Sequence, residues 1–253
     1  MTKSLPFLFF SAVLPIGAAT ITFQEGVNGY LHLAQDFRGS GTTNNGTQTL
    51  VGYQTSPGVL EIRTVMAFGL SAIPAGSTIN SISLLLVSDG NQSGSINGVG
   101  TINLHEVIPN GVATNNMVEG QVSRLNWQTG QAWTNTLGDY TATPMSTSTL
   151  TNAAPLGTLD PGETATFGST TAFVAAAQAA FDAGLPLEFI LIAPTAESTT
   201  GASNFFRFRS DQYLDNINDR PLLTIDYTIP EPSSAALGIL AAGSALFIRR
   251  RNR

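Results

Sequence analysis

Ser81-Ile82-Ser83-Leu84-Leu85-Leu86 places an apolar side chain at every second position. That is the period of a strand with one face buried, and it disagrees with the 3.6-residue period of a helix. The same alternation recurs along the chain. Ile102 and Leu104 alternate with Asn103 and His105, and Phe206 and Phe208 with Arg207 and Arg209. Leu223, Ile225 and Tyr227 alternate with Thr224 and Asp226. Leu187 to Ala193 is apolar almost throughout, which predicts a central strand covered on both faces. Clusters such as Ser40-Gly41-Thr42-Thr43-Asn44-Asn45-Gly46 and Asp89-Gly90-Asn91 predict turns between strands. By alternation His105 points away from the core, to a solvated position.

One segment departs from period two. Phe173, Val174, Ala177, Ala180 and Phe181 recur at helical spacing, with Ser169 or Thr170 as N-cap and Gly184 closing the helix. Many short strands with one helix predict an all-β fold, a jelly-roll β-sandwich. No repeat or linker interrupts residues 20–228, so they are expected to form one domain.

Both ends differ from this body. Lys3, the apolar region Leu5 to Leu14 and the small residues Gly17-Ala18-Ala19 read as a secretory signal peptide over residues 1–19, cleaved after Ala19 by signal peptidase. Residues 229–253 run Ile229-Pro230-Glu231-Pro232-Ser233-Ser234, then an uncharged stretch from Ala235 to Ile248, then Arg249-Arg250-Arg251-Asn252-Arg253. The prolines end the folded part. The apolar stretch predicts a short hydrophobic C-terminal helix without a polar face, under the roughly 20 residues of a full bilayer span. Arginines beyond such a helix stay on the cytoplasmic side of the inner membrane, leaving the body outside. The tail resembles the PEP-CTERM sorting signal of Gram-negative bacteria. That resemblance implies an exosortase acting at Pro230, Glu231 and Pro232, with Arg249, Arg250 and Arg251 as the basic end. Exported protein would then be membrane-anchored in transit and retained at the cell surface or in extracellular matrix.

Composition excludes several kinds of chemistry. The chain has no cysteine, so disulfides and thiolate metal sites are absent. Lys3 is its only lysine, and His32 and His105 its only histidines. A phosphate-binding loop, a Schiff base and a His-Glu-x-x-His zinc site are therefore unavailable to the mature chain. The net charge is −6, and much of the base lies at the two ends, so the domain is acidic and unsuited to nucleic acid. The remaining enzymatic route is a pair of carboxylates, with Glu106, Glu119, Asp139 and Asp160 available for polysaccharide cleavage.

A second resemblance covers most of residues 20–228. Phe23-Gln24-Glu25-Gly26-Val27-Asn28-Gly29-Tyr30, Arg63 to Leu70 with Ile73 to Ile79, and Val118-Glu119-Gly120 with Asn126-Trp127 occur in order. Trp133, Gly138-Asp139-Tyr140, the helix, Phe206 to Ser210 and Arg220-Pro221-Leu222-Leu223 follow. This series resembles DNRLRE domains, which belong with carbohydrate-binding modules of disaggregatase type. Ala67 stands where that family usually carries a charge, and its early acidic position is blurred around Gln35-Asp36. The resemblance implies a non-catalytic domain that binds polysaccharide.

Flat aromatic rings stack on the apolar faces of sugars, and polar neighbours fix the hydroxyls. Tyr53, Trp127, Trp133 and Tyr140, in or near polar, Gly-rich stretches, are the candidate ligand contacts. By its place in the family-like motif Trp127 is expected to be structural, and Trp133 to present its ring outward. Asp211, Asp215, Asn218 and Asp219 form an oxygen-rich stretch suited to a structural calcium ion. The alternative for these acids is pairing with Arg207, Arg209 and Arg220 across neighbouring strands. A structural surface protein without a glycan ligand is the competing function, and a polysaccharide-cleaving enzyme a third.

Overall fold

The computed structural model describes residues 17–28, 30–38, 42–44, 46–55, 60–89, 99–109, 117–151, 161–198 and 203–229. The signal-peptide stretch up to residue 16, the apolar C-terminal helix and the sorting motif lie outside the described residues. Among the described residues no helix is long and apolar enough to cross a membrane.

The protein is mostly β. Its strands are β1 (Gly17–Phe23), β2 (Tyr30–Arg38), β3 (Thr42–Asn44), β4 (Gln48–Gln54), β5 (Leu60–Phe68), β6 (Thr78–Val87) and β7 (Val99–Glu106). There follow β8 (Asn126–Gln128), β9 (Gln131–Ala132), β10 (Ser146–Thr151), β11 (Thr164–Phe167), β12 (Leu187–Ile192), β13 (Asn204–Arg209) and β14 (Leu222–Ile229). Helix α1 spans Thr171–Asp182 and α2 spans Pro194–Ser198. One sheet has four strands in the order β1-β14-β6-β11. The other has eight, running β10-β7-β12-β5-β2-β3, with β4 joining β5 to β13. Every pairing is antiparallel. On one side β5 passes from β12, along Thr64 to Phe68, to β4, along Leu60 to Ile62, and there the larger sheet branches.

The two sheets enclose a shared core. Ile82, Leu84 and Leu86 of β6 and Leu223 and Ile225 of β14 pack with Met66, Phe68, Ile102, Leu104, Phe189, Leu191 and Phe208 of the larger sheet. These are the inward positions of the alternating runs. Helix α1 adds Phe173, Ala176 and Ala177 to the same core. Its first turn is capped by Thr170, whose Oγ1 accepts from the Phe173 amide at 3.0 Å. At the other end Gly184 takes φ +66°, and the Leu185 amide returns to Ala180 O at 2.9 Å.

Two details differ from the sequence reading. Thr42–Asn44, read as part of a turn, pairs as a short strand with Phe37 at its centre opposite Thr43. The single expected helix is joined by the five-residue α2. Pro194, whose fixed φ suits a first helical turn, starts it, and the segment is too short for periodicity to reveal.

Gly52 shows how tightly β4 meets β13. Its φ is +138°, and a Cβ there would lie 2.3 Å from the Asn204 carbonyl oxygen. Gly52→Ala is therefore expected to cost at least about 2 kcal/mol, because strained backbone and a backbone clash combine. Chemical denaturation of the variant beside the parent chain measures this, and equal midpoints would refute the close approach.

Candidate binding surface

The outer face of the larger sheet is also apolar at its centre. Val65 and Ala67 of β5 and Ile190 and Ile192 of β12 point away from the shared core and are fully or nearly fully buried. The segment 117–145 covers them, contributing Met117, Val122, Trp133 and Leu137 to a second apolar cluster. The continuous apolar run of β12 thus has a cover on each side, as its composition requires.

The covering segment is not a loose loop. It folds into the hairpin β8–β9, and Ser123 N bonds to Asn126 O at 2.7 Å. Asp139 is buried and accepts from the Thr134 amide at 2.7 Å, the Asn135 amide at 2.8 Å and Asn135 Nδ2 at 2.9 Å. With its oxygens held by three donors, Asp139 fixes the turn.

A polar clamp fastens the far end of the segment to the sheet. Arg63 Nε and Nη2 donate to the two carboxylate oxygens of Glu197 in α2, at 3.1 and 2.9 Å. Arg63 Nη1 donates to Leu137 O at 3.1 Å, and the guanidinium lies 5.3 Å from the centre of the Tyr140 ring. Burial pulls the Arg63 pKa down, but the hydrogen bond and charge of Glu197 more than reverse this. Burial pushes the Glu197 carboxyl up, and Arg63 offsets that only in part. His105 completes the group edge-on to Tyr140, at 5.1 Å between ring centres. It is buried and not solvated as its place in the alternation predicts, because the covering segment lies over it. Burial pushes its pKa down, and neutral His105 carries its proton on Nδ1, 2.7 Å from Thr141 O.

Trp127, Trp133 and Tyr140 come together at this second cluster. Trp133 is only 6% exposed, and its Nε1 donates to Ser123 O at 2.8 Å. The expectation that Trp133 presents its ring is thereby corrected: it packs in the cluster over β12 with Ile190 and Ile192. Trp127 and Tyr140 are half-buried at the edge of the cluster. Tyr53 lies apart and is buried in β4, opposite Asn204 and Glu61. The four aromatics do not form an exposed row.

The oxygen-rich turn after β13 is also divided. Asp219 pairs with Arg209, which stacks 4.5 Å from the centre of the Tyr213 ring and reaches Asp89 at 3.7 Å. Asp215 and Asn218 are exposed. Asp211 is buried, and burial together with the charges of Glu119 and Glu25 pushes its pKa up to about 7. Among the described residues no three His, Asp or Glu side chains already converge as a metal would require. Of the other carboxylates, Glu106 is half-buried and pushed up by burial, and Asp160 lies outside the described residues. A hollow of about 520 Å³ between the end of α1 and the 69–76 turn, lined by Leu70, Ile73, Phe181 and Leu185, contains none of the candidate aromatics.

No protein-family model matches the chain. No curated protein matches it.

The Arg63 clamp generates a stability test. Arg63→Met leaves Glu197 buried without its guanidinium and is expected to cost about 3–5 kcal/mol. The double variant Arg63→Met/Glu197→Leu should recover part of that loss. Denaturation followed by tryptophan fluorescence reads both, and an Arg63→Met midpoint equal to the parent's would exclude a structural role for the pair.

Proposed function

We propose that the protein is an exported, surface-retained, non-catalytic domain that binds polysaccharide at the cell surface or in extracellular polymer. The finer fold on this reading is a jelly-roll of the DNRLRE kind. The observation that carries the proposal is Trp127. Trp127 is only half-buried, with its Nε1 turned inward, on a hairpin strand whose neighbours Asn126, Gln128 and Gln131 are polar and accessible. The hairpin is held to the sheet by the buried Trp133 and the Arg63 clamp, so the ring is presented on a rigid support. Preorganisation of this kind lowers the ordering cost of binding. Tyr140, on the same cluster, is the second candidate contact.

A structural surface protein without a glycan ligand is the second reading. The burial of Trp133 and Tyr53 favours it, since both serve packing. Affinity electrophoresis of the full chain through neutral polysaccharides separates the two. On the binding reading Trp127→Ala weakens retardation by about tenfold, or about 1.4 kcal/mol, with a small change in melting temperature. Trp133→Ala instead costs about 3–5 kcal/mol of stability. A parent chain retarded by no polysaccharide would leave the scaffold.

Retention rests on the tail. Signal peptidase acts after Ala19 and an exosortase at Pro230-Glu231-Pro232, with the inner membrane holding the apolar stretch in between. Cleavage after Ala19 is compatible with the register of β1, because Thr20 to Phe23 keep their partners Asp226 to Leu223. Replacing Pro230, Glu231 and Pro232 together with alanine is expected to stop C-terminal processing, read as a heavier mature mass and loss of surface location. An unchanged mass and location would make the tail an ordinary anchor.

A further inference from the structure

The first strand begins and the last strand ends at one corner of the smaller sheet. Gly17 of β1 is the partner of Ile229 of β14, and Thr228 of β14 is the partner of Thr78 of β6. The chain therefore enters and leaves the domain beside the start of β6. The 71–76 turn runs into that strand, and the last turns of α1 are tied to the same place. Gln178 Oε1 accepts from the Ile79 amide at 2.7 Å, and Gln178 Nε2 donates to Ser77 O at 3.3 Å. The hollow of about 520 Å³ lies between the turn and the end of α1, so it belongs to this end of the molecule. Leu70 and Ile73 are its buried floor, Phe181 and Leu185 its half-buried wall, with exposed Ala75 and Asp182 beside them. Ile229, 39% exposed, adds an apolar side chain where the chain leaves.

We infer that this end of the domain seats on the lipid bilayer, with the hollow turned toward the lipid. The seating depends on residues 235–248 entering the membrane, as proposed above for the tail. Only Pro230 to Ser234 separate Ile229 from Ala235. Five residues span at most about 18 Å, and the headgroup layer on one side takes up about 5–8 Å of that. Ile229 is thus held within about 10–13 Å of the headgroups, on a tether that two prolines stiffen. The other end of β14, at Leu222, lies about 23 Å away along the strand. Leu214 and Ile217, exposed on the loop before Leu222, then face away from the bilayer. Asp182 is the only charged residue in 69–78 and 178–186, so the contact is apolar and independent of anionic lipid.

The chain contains no cysteine, so a single introduced thiol carries a fluorophore at one place. Ala75→Cys beside the hollow and Asp215→Cys on the β13–β14 loop, both at exposed positions, are labelled in the full chain. Each is reconstituted into phosphatidylcholine vesicles containing a lipid with a nitroxide on its headgroup. The label at position 75 should lose most of its fluorescence and the label at position 215 little, at low and high salt alike. Quenching at 215 equal to or above that at 75 overturns the seating. Flotation of the vesicles separates the two possible failures. A chain that does not float with the lipid overturns the membrane reading of the tail and the seating together. A chain that floats with position 75 unquenched overturns the seating alone.

Discussion

The larger sheet is apolar on both faces along its central strands β5 and β12, and the rest of the architecture depends on covering each of them. Along β12 every residue from Leu187 to Ile192 is buried, so its neighbours must pack above and below. The four-stranded sheet and α1 cover one side. Segment 117–145 covers the other with Trp133, Leu137, Val122 and Met117. Burial of a large apolar side chain contributes about 1.5–3 kcal/mol, so a cover with these four residues is a substantial part of a stability that is marginal overall.

Polar groups then fix where the cover lies. Apolar contact is non-directional and would tolerate several placements of the segment. Arg63 does not: its planar guanidinium meets Glu197 with two parallel bonds and Leu137 O with a third. Asp139 fixes the local turn in the same directional way. Leu137 has φ +77°, a conformation unfavourable for its side chain, and it is held there between Arg63 and the Leu137 amide bond to Arg124 O at 3.0 Å. The surface that carries Trp127 is therefore a supported surface, and its shape is set by groups that are largely withdrawn from solvent.

The opposite balance holds where β13 ends. Asp211 is placed in a buried position among like charges, with nothing basic beside it among the described residues, while the neighbouring Arg209 serves Asp219. Leu214 and Ile217 stand exposed on the same loop. Around Trp133 and Asp139 apolar burial and hydrogen bonding agree, although Trp127 Nε1 is buried without a partner; at the end of β13 burial and charge oppose each other.

The strands were legible because alternation is a local property of a half-buried sheet. Ile82, Leu84 and Leu86, and likewise Phe206 and Phe208, occupy the buried positions that their spacing predicts, and Thr170 and Gly184 bound α1 as residues of their kinds do. The apolar run of β12 announced a cover on both faces, yet it could not say which segment supplied the second. That depends on contacts between residues distant in the chain, such as Trp133 over Ile190 and Ile192 in one cluster. The same dependence misplaced His105 and Trp133, because a residue on an outward face is solvated only if nothing crosses that face.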